Sequence, residues 1–341
     1  MKQTLSLLAF IGGLAASSAS LSAQQPAAMP TPPGIHPVSI TCEECPYPAP
    51  SAYLPITAYG QDLRMAYMDA APQGTPNGHT VVLLHGNNFA GFYFAGAMEV
   101  LQKEGFRVIV PDQIGYGRSS KPIIPYGFND WARYTKLLLD SLKIEKAMVV
   151  GHSMGGMLAA RFATQYPAMT ERLVIYNPIG LSDGRFGRPA DNVDEQYKRA
   201  LGGTYASVKA GLMRYVAHRP AAWNDEFERY ARIRYAWTLG AEWPRLAMVQ
   251  TVIFQVIAND PVVYDWPRIK APTLVFGGAD DMLPGTAAEF QTRMKYMADT
   301  IPDGKARLLL LPGLGHVPHL EAPDRVYPPL VAFLKEGVAH R

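Results

Sequence analysis

Cysteine is almost absent from this 341-residue chain, which has two, Cys42 and Cys45, in Cys-Glu-Glu-Cys. Two thiolates do not complete a four-ligand zinc site, and the nearest histidine, His36, still leaves it incomplete, so no metal is expected. Charge of one sign is missing too. Lys and Arg total 32 against 29 Asp and Glu, a net charge of +3, and no Lys/Arg run stands out. That balance argues against a nucleic-acid partner. A membrane-length apolar run is also lacking: the stretch Leu5 to Ala16 has 12 residues, against the roughly 20 that a span requires. What the chain does have is 48% hydrophobic residues, enough for a large globular core and too many for a disordered chain.

Lys2, the short apolar run and the small residues ending Leu21-Ser22-Ala23 have the layout of a secretory signal peptide over residues 1–23. No cysteine stands at the processing point, which argues against a lipoprotein. The expectation is an exported protein, periplasmic or extracellular, with no membrane span once the leader is removed. In an oxidising compartment Cys42 and Cys45 could form a local disulfide, expected to stiffen only the tail. Residues 24–50 contain eight prolines, so they read as an extended lead-in that neither winds into a helix nor pairs into a sheet.

Beyond Ser51 the pattern changes. Tyr53–Tyr59 and Leu63–Asp69 read as two strands about a polar turn at Gln61-Asp62. Six short apolar runs follow: Thr80–Leu84, Arg107–Pro111, Ala147–Val150, Leu173–Tyr176, Thr273–Phe276 and Arg307–Leu311. Continuous hydrophobicity marks strands buried on both faces of a parallel sheet. Helical stretches lie between them at Gly91–Glu104, Asp130–Leu142, Met154–Tyr166, Gly285–Ala298 and Pro323–Glu336. The alternation predicts an α/β fold. Residues 181–265 break it with helices rich in Arg, Tyr and Trp, which reads as a cap inserted into a core of residues 51–180 and 266–341.

The sharpest chemical signal is Gly151-His152-Ser153-Met154-Gly155-Gly156, which follows a predicted strand and opens a predicted helix. That is the strand–turn–helix setting of a nucleophile elbow. The tight turn holds the serine in strained backbone geometry, tolerable only where close neighbours lack side chains. Met154 then offers its backbone N–H at a helix N-terminus, where negative charge is favoured. A serine hydroxyl needs a base, and the base an orienting acid. Asp280 and His316 both lie just past predicted strand ends, with Asp281 and His319 as rivals. Asn87, in His85-Gly86-Asn87-Asn88, is the candidate for the second backbone oxyanion donor.

Together these residues resemble the α/β-hydrolase superfamily, in its capped serine-hydrolase branch. The resemblance runs from about Tyr53 to Glu336. It rests on His85-Gly86, Asp112-Gln113-Ile114-Gly115-Tyr116-Gly117-Arg118-Ser119, the Ser153 elbow, Gly277-x-x-Asp280-x-x-x-Pro284 and Gly315-His316. It implies an eight-stranded, mostly parallel sheet with a helical cap after the sixth strand, no cofactor, and a triad of Ser153, Asp280 and His316. Asp280 is preferred to Asp281 because it fits the family spacing. Members of this fold that use an aspartate nucleophile, dehalogenases and epoxide hydrolases, are excluded by Ser153. The Gly115-x-Gly117 stretch is followed by Lys121-Pro122 rather than a helix, which rejects a dinucleotide site. The expected activity is cleavage of a small-molecule carboxylic ester through an acyl-enzyme. The alternatives are a carbon–carbon bond hydrolase with the same triad and a catalytically silent binding protein. Nine cap arginines, Arg185, Arg188, Arg199, Arg214, Arg219, Arg229, Arg232, Arg234 and Arg245, include candidates for binding a substrate carboxylate.

Overall fold

The computed structural model describes residues 31–185 and 192–338; the leader at 1–23 and Arg188 lie outside them. Eight strands form one sheet among the described residues: β1 (Ser51–Ala58), β2 (Gln61–Ala70), β3 (Thr80–Leu84), β4 (Arg107–Pro111), β5 (Ala147–His152), β6 (Thr170–Tyr176), β7 (Thr273–Gly278) and β8 (Ala306–Leu311). Their order is β1-β2-β4-β3-β5-β6-β7-β8. β1 and β2 pair antiparallel and β2 runs antiparallel to β4, while β4 through β8 are parallel. The hairpin turns two residues earlier than the polar pair Gln61-Asp62 suggests. Tyr59 and Gly60 have φ of 52° and 67°, the paired left-handed conformation that a two-residue hairpin needs, and Gln61-Asp62 pair in the ladder with Ala58 and Thr57.

Alternate strand residues feed two cores. Val82, Leu84, Val149, Ile175 and Val275 face α2 (Phe128–Ser141), α3 (Met154–Gln165) and α8 (Ala287–Thr300), where Trp131, Phe162 and Phe290 are buried. Val81, Leu83, Val150, Val174 and Phe276 face α1 (Ala95–Lys103) and α10 (Pro323–Lys335). A short helix, α9 (Pro318–Glu321), precedes α10. Each fully buried aliphatic or aromatic side chain contributes about 1.5–3 kcal/mol, so the two layers fix the sheet firmly. The strand order reverses at β3, which lies between β4 and β5. Loops leaving the C-terminal ends of β3 and β5 therefore open beside each other, the usual ligand position in such sheets.

After β6 the described chain is helical up to β7: α4 (Val193–Leu201), α5 (Tyr205–Met213), α6 (Asp225–Thr238) and α7 (Trp243–Asn259). No described helix is long and apolar enough to cross a membrane. The lead-in is more than a stiffened tail. Cys42 and Cys45 are disulfide-bonded and buried. Arg118 donates to the carbonyls of Glu43 and Cys45, and Tyr47 Oη donates to Asp112 Oδ2 at 2.6 Å. Asp112, in the Asp112–Ser119 motif, also accepts from the Gly91 and Arg118 backbone N–H groups. It is a structural tie between lead-in and core.

Candidate active site

Ser153 ends β5 and opens α3 with φ 58° and ψ −120°. The glycines around it are required by contact. A Cβ on Gly151 would stand 2.0 Å from the Gly155 carbonyl oxygen, and one on Gly155 would stand 2.0 Å from the Leu84 carbonyl oxygen. Gly156 packs against Pro178, in the loop after β6, and against the Gly151 carbonyl of β5. The chain thus holds its serine out at the sheet edge with helix and strand in backbone contact.

His316, in the loop between β8 and α9, places Nε2 2.9 Å from Ser153 Oγ. Its Nδ1 lies 2.6 Å from Asp281 Oδ2. Here the structure corrects the sequence reading: the acid on the imidazole is Asp281, not Asp280. β7 runs on through Gly277 and Gly278, beyond the apolar run, which turns the Asp281 side chain inward. The Asp280 carboxylate instead accepts from the Gly313 N–H at 2.7 Å and pins the neighbouring loop. Asp281 is buried and also accepts from Asn177 Nδ2 at 3.0 Å and the Leu283 N–H at 2.9 Å. Because a carboxylate only accepts, Nδ1 of His316 carries the proton and Nε2 presents its lone pair to Ser153. Asn177 escaped the sequence reading. Its Oδ1 accepts from the Gly278 N–H, so it orients both the acid and the strand end.

A second histidine braces the first. His152 Nε2 lies 2.7 Å from the His316 carbonyl, an acceptor, so Nε2 is protonated. Nδ1 then accepts from Tyr93 Oη at 2.9 Å, and Tyr93 Oη in turn accepts from the Gly86 N–H. Burial, followed by the nearby His316 and His319, holds His152 well below the usual imidazole range, as a neutral link requires. This chain ties the β3 loop, the Ser153 turn and His316 together. His319, the rival base, is buried. Its Nδ1 accepts from Tyr176 Oη, whose oxygen accepts the His319 N–H. Burial pushes its pKa down to about 3, and its polar contacts do not include Ser153.

Asn87 and Ser153 line one cavity of about 770 Å³, together with Leu181, Tyr215, Ile257 and Leu283. Asn87 is held by Tyr116 Oη, which donates to its Oδ1 at 2.6 Å, and Met154 is the first residue of α3. The helical insertion closes over the site. Tyr215 packs its ring against His316 with centroids 4.9 Å apart, and its carbonyl accepts the His316 N–H. Among the cap arginines, Arg185 pairs with Asp183 and Arg229 with Glu226, while Arg232 and Arg245 donate to backbone carbonyls. Arg214 and Arg234 line cavities. No cluster of His, Cys, Asp and Glu among the described residues would hold a metal ion.

A nucleophile elbow at a parallel sheet edge, a histidine after the last strand and a helical insertion after β6 define the α/β-hydrolase architecture. The chain belongs to the alpha/beta hydrolase family, whose pattern matches residues 81–328. It is similar to the crystal structure of a probable hydrolytic enzyme from Pseudomonas aeruginosa PAO1. The two share 34% identity and a TM-score of 0.80 over 89% of this chain and 99% of that one. It is 26% identical, over 83% of its own length and all of the relative's, to a Synechocystis sp. protein bearing the name "Putative non-heme chloroperoxidase". A 2-hydroxy-6-oxo-2,4-heptadienoate hydrolase of Pseudomonas putida is 34% identical over 31% of this chain and 39% of its own.

Proposed function

We propose that this protein is an exported serine hydrolase that cleaves carboxylic esters through an acyl-enzyme on Ser153. The observation that carries the reading is the relay Ser153 Oγ–His316–Asp281 at the wall of a large cavity. Ser153 Oγ attacks the ester carbonyl while His316 Nε2 takes its proton. Asp281 stabilises the resulting imidazolium and keeps Nδ1 protonated. The tetrahedral oxyanion is met by the backbone N–H groups of Met154, at the start of a helix, and Asn87. Collapse returns the proton from His316 to the departing alcohol. Water activated by the same histidine then releases the acid. No step calls for a cofactor.

Export is supported by the leader-like residues 1–23 and by the Cys42–Cys45 disulfide, a bond that persists in oxidising compartments. A second reading, carbon–carbon bond hydrolysis by the same triad, is supported by the name of the Pseudomonas putida relative and by an arginine beside the site. A panel of p-nitrophenyl esters separates the two. Turnover of simple esters that falls by about three orders of magnitude or more in Ser153→Ala supports the ester reading. Failure to cleave any ester, with cleavage of a vinylogous diketone acid, favours the second. Failure to react with a fluorophosphonate would leave a silent binding protein.

A further inference from the structure

Arg234, on α6, is a cap arginine that lines a chamber without an acid partner among the described residues. No carboxylate lies within ion-pair distance of it among the described residues. Among the described residues its hydrogen bonds are two long ones, to the Asn88 carbonyl at 3.4 Å and to Gln250 Oε1 at 3.5 Å. Burial lowers its pKa, and the only groups that oppose the shift are the phenols of Tyr215 and Tyr116. The exposure it keeps is toward two cavities, of about 390 and 230 Å³, both of which it shares with Asn88, Arg199 and Gln250. Asn87, Asn88 and Phe254 line the larger of these and the Ser153 cavity alike, so the chambers adjoin at the loop that carries the candidate oxyanion donor.

A guanidinium taken out of water without a counter-charge is costly, and its planar fork matches a carboxylate. Neighbouring groups are suited to the same ligand. Tyr215, which lines the adjoining Ser153 cavity, accepts from Asn88 Nδ2, which leaves its own proton to donate. Arg199, which has no ion pair among the described residues, faces the same chamber.

We propose that Arg234 anchors a carboxylate of the substrate, so that the ester cleaved at Ser153 is a monoester of a dicarboxylic acid, its free acid end seated in the side chamber. This inference deepens the ester-hydrolase reading and rests on it for the reaction, but not for the binding. Arg214 and Arg293 line the Ser153 cavity itself and add positive charge that favours the approach of the same anion.

The test compares monomethyl esters of glutaric through suberic acid with methyl esters of uncharged acids of matching length. Wild type, Arg234→Met and Arg234→Lys are assayed by proton release. Wild type is expected to favour at least one monoester by about tenfold or more in kcat/KM. Arg234→Met should lose ten- to hundredfold on that monoester, the range of a charge-assisted bond, and keep its rate on the uncharged ester. Arg234→Lys should retain part of the preference. Arg234→Met should melt no lower than wild type, because it removes a half-buried charge that meets no described carboxylate. Calorimetry with adipate on wild type and Arg234→Met reads binding without turnover. If no ester is cleaved, the reaction reading fails, yet adipate binding lost in Arg234→Met still supports the anchor. The anchor is overturned if wild type prefers the uncharged ester throughout the series. It is also overturned if Arg234→Met lowers both classes equally, or if neither protein distinguishes adipate.

Discussion

Replacing Asp281 by asparagine isolates the acid of the relay. All three groups that meet its carboxylate are donors: His316 Nδ1 at 2.6 Å, Asn177 Nδ2 at 3.0 Å and the Leu283 N–H at 2.9 Å. An amide must aim its NH₂ at one of these positions. Turned toward His316, it drives the imidazole into the tautomer with its proton on Nε2, which cannot accept from Ser153. Turned toward Leu283, it leaves an acceptor on Nδ1 but removes the negative charge that offsets the imidazolium. Either outcome should cost about 10³- to 10⁴-fold in kcat, the scale known for this exchange in serine proteases, or about 4–5.5 kcal/mol of barrier. KM should change little, since Asp281 does not reach the cavity. Asp280→Asn keeps an oxygen on the Gly313 N–H and should leave kcat within about threefold. Steady-state kinetics on p-nitrophenyl butyrate, with circular dichroism to confirm folding, decides the matter. Greater damage in Asp280→Asn, or more than a tenth of wild-type kcat in Asp281→Asn, would refute the relay as drawn.

Gly151→Ala would drive a methyl group to 2.0 Å from the Gly155 carbonyl oxygen and 2.7 Å from Ala159 Cβ, a clash with backbone that should cost about 3 kcal/mol or more and be seen as a large drop in melting temperature. His319→Ala empties a buried site among aromatic rings and should cost about 2–3 kcal/mol in urea unfolding, with activity retained at low temperature. Glu321 has a fully buried carboxyl against His218, and burial pushes its pKa up to about 7. The folded state therefore binds this proton more tightly than the unfolded chain, and the contribution of Glu321 to stability is greatest below about pH 4.5 and is lost as pH rises toward 7. Glu321→Gln should remove this slope, so that the stability difference from wild type changes by about 3 kcal/mol between pH 4.5 and 8.

Much of this arrangement is legible in the residues. Continuous apolar runs such as Thr80–Leu84 and Arg107–Pro111 appear as strands with the same limits, because a strand buried on both faces has no polar position at which to end early. The elbow is legible because only glycine survives at 151 and 155. The acid was displaced by one residue because glycines at the end of β7 carry no apolar signal, so the strand end, and with it the direction of each aspartate, depends on pairing with β8. Asn177 was hidden because its function arises from Gly278 and Asp281, 101 and 104 residues away. Which cap arginines meet an acid is likewise a property of packing: Arg229 and Arg234 are five positions apart on one helix, yet the first meets Glu226 and the second meets none among the described residues.

The most direct test of the central claim is intact-protein and peptide mass spectrometry on enzyme quenched during turnover of p-nitrophenyl butyrate. The account predicts one acyl group per chain, on the peptide that contains Ser153. It should be absent from Ser153→Ala, slowed in Asp281→Asn and unchanged in Asp280→Asn. An acyl group on any other residue, or ester turnover undiminished in Ser153→Ala, would contradict it.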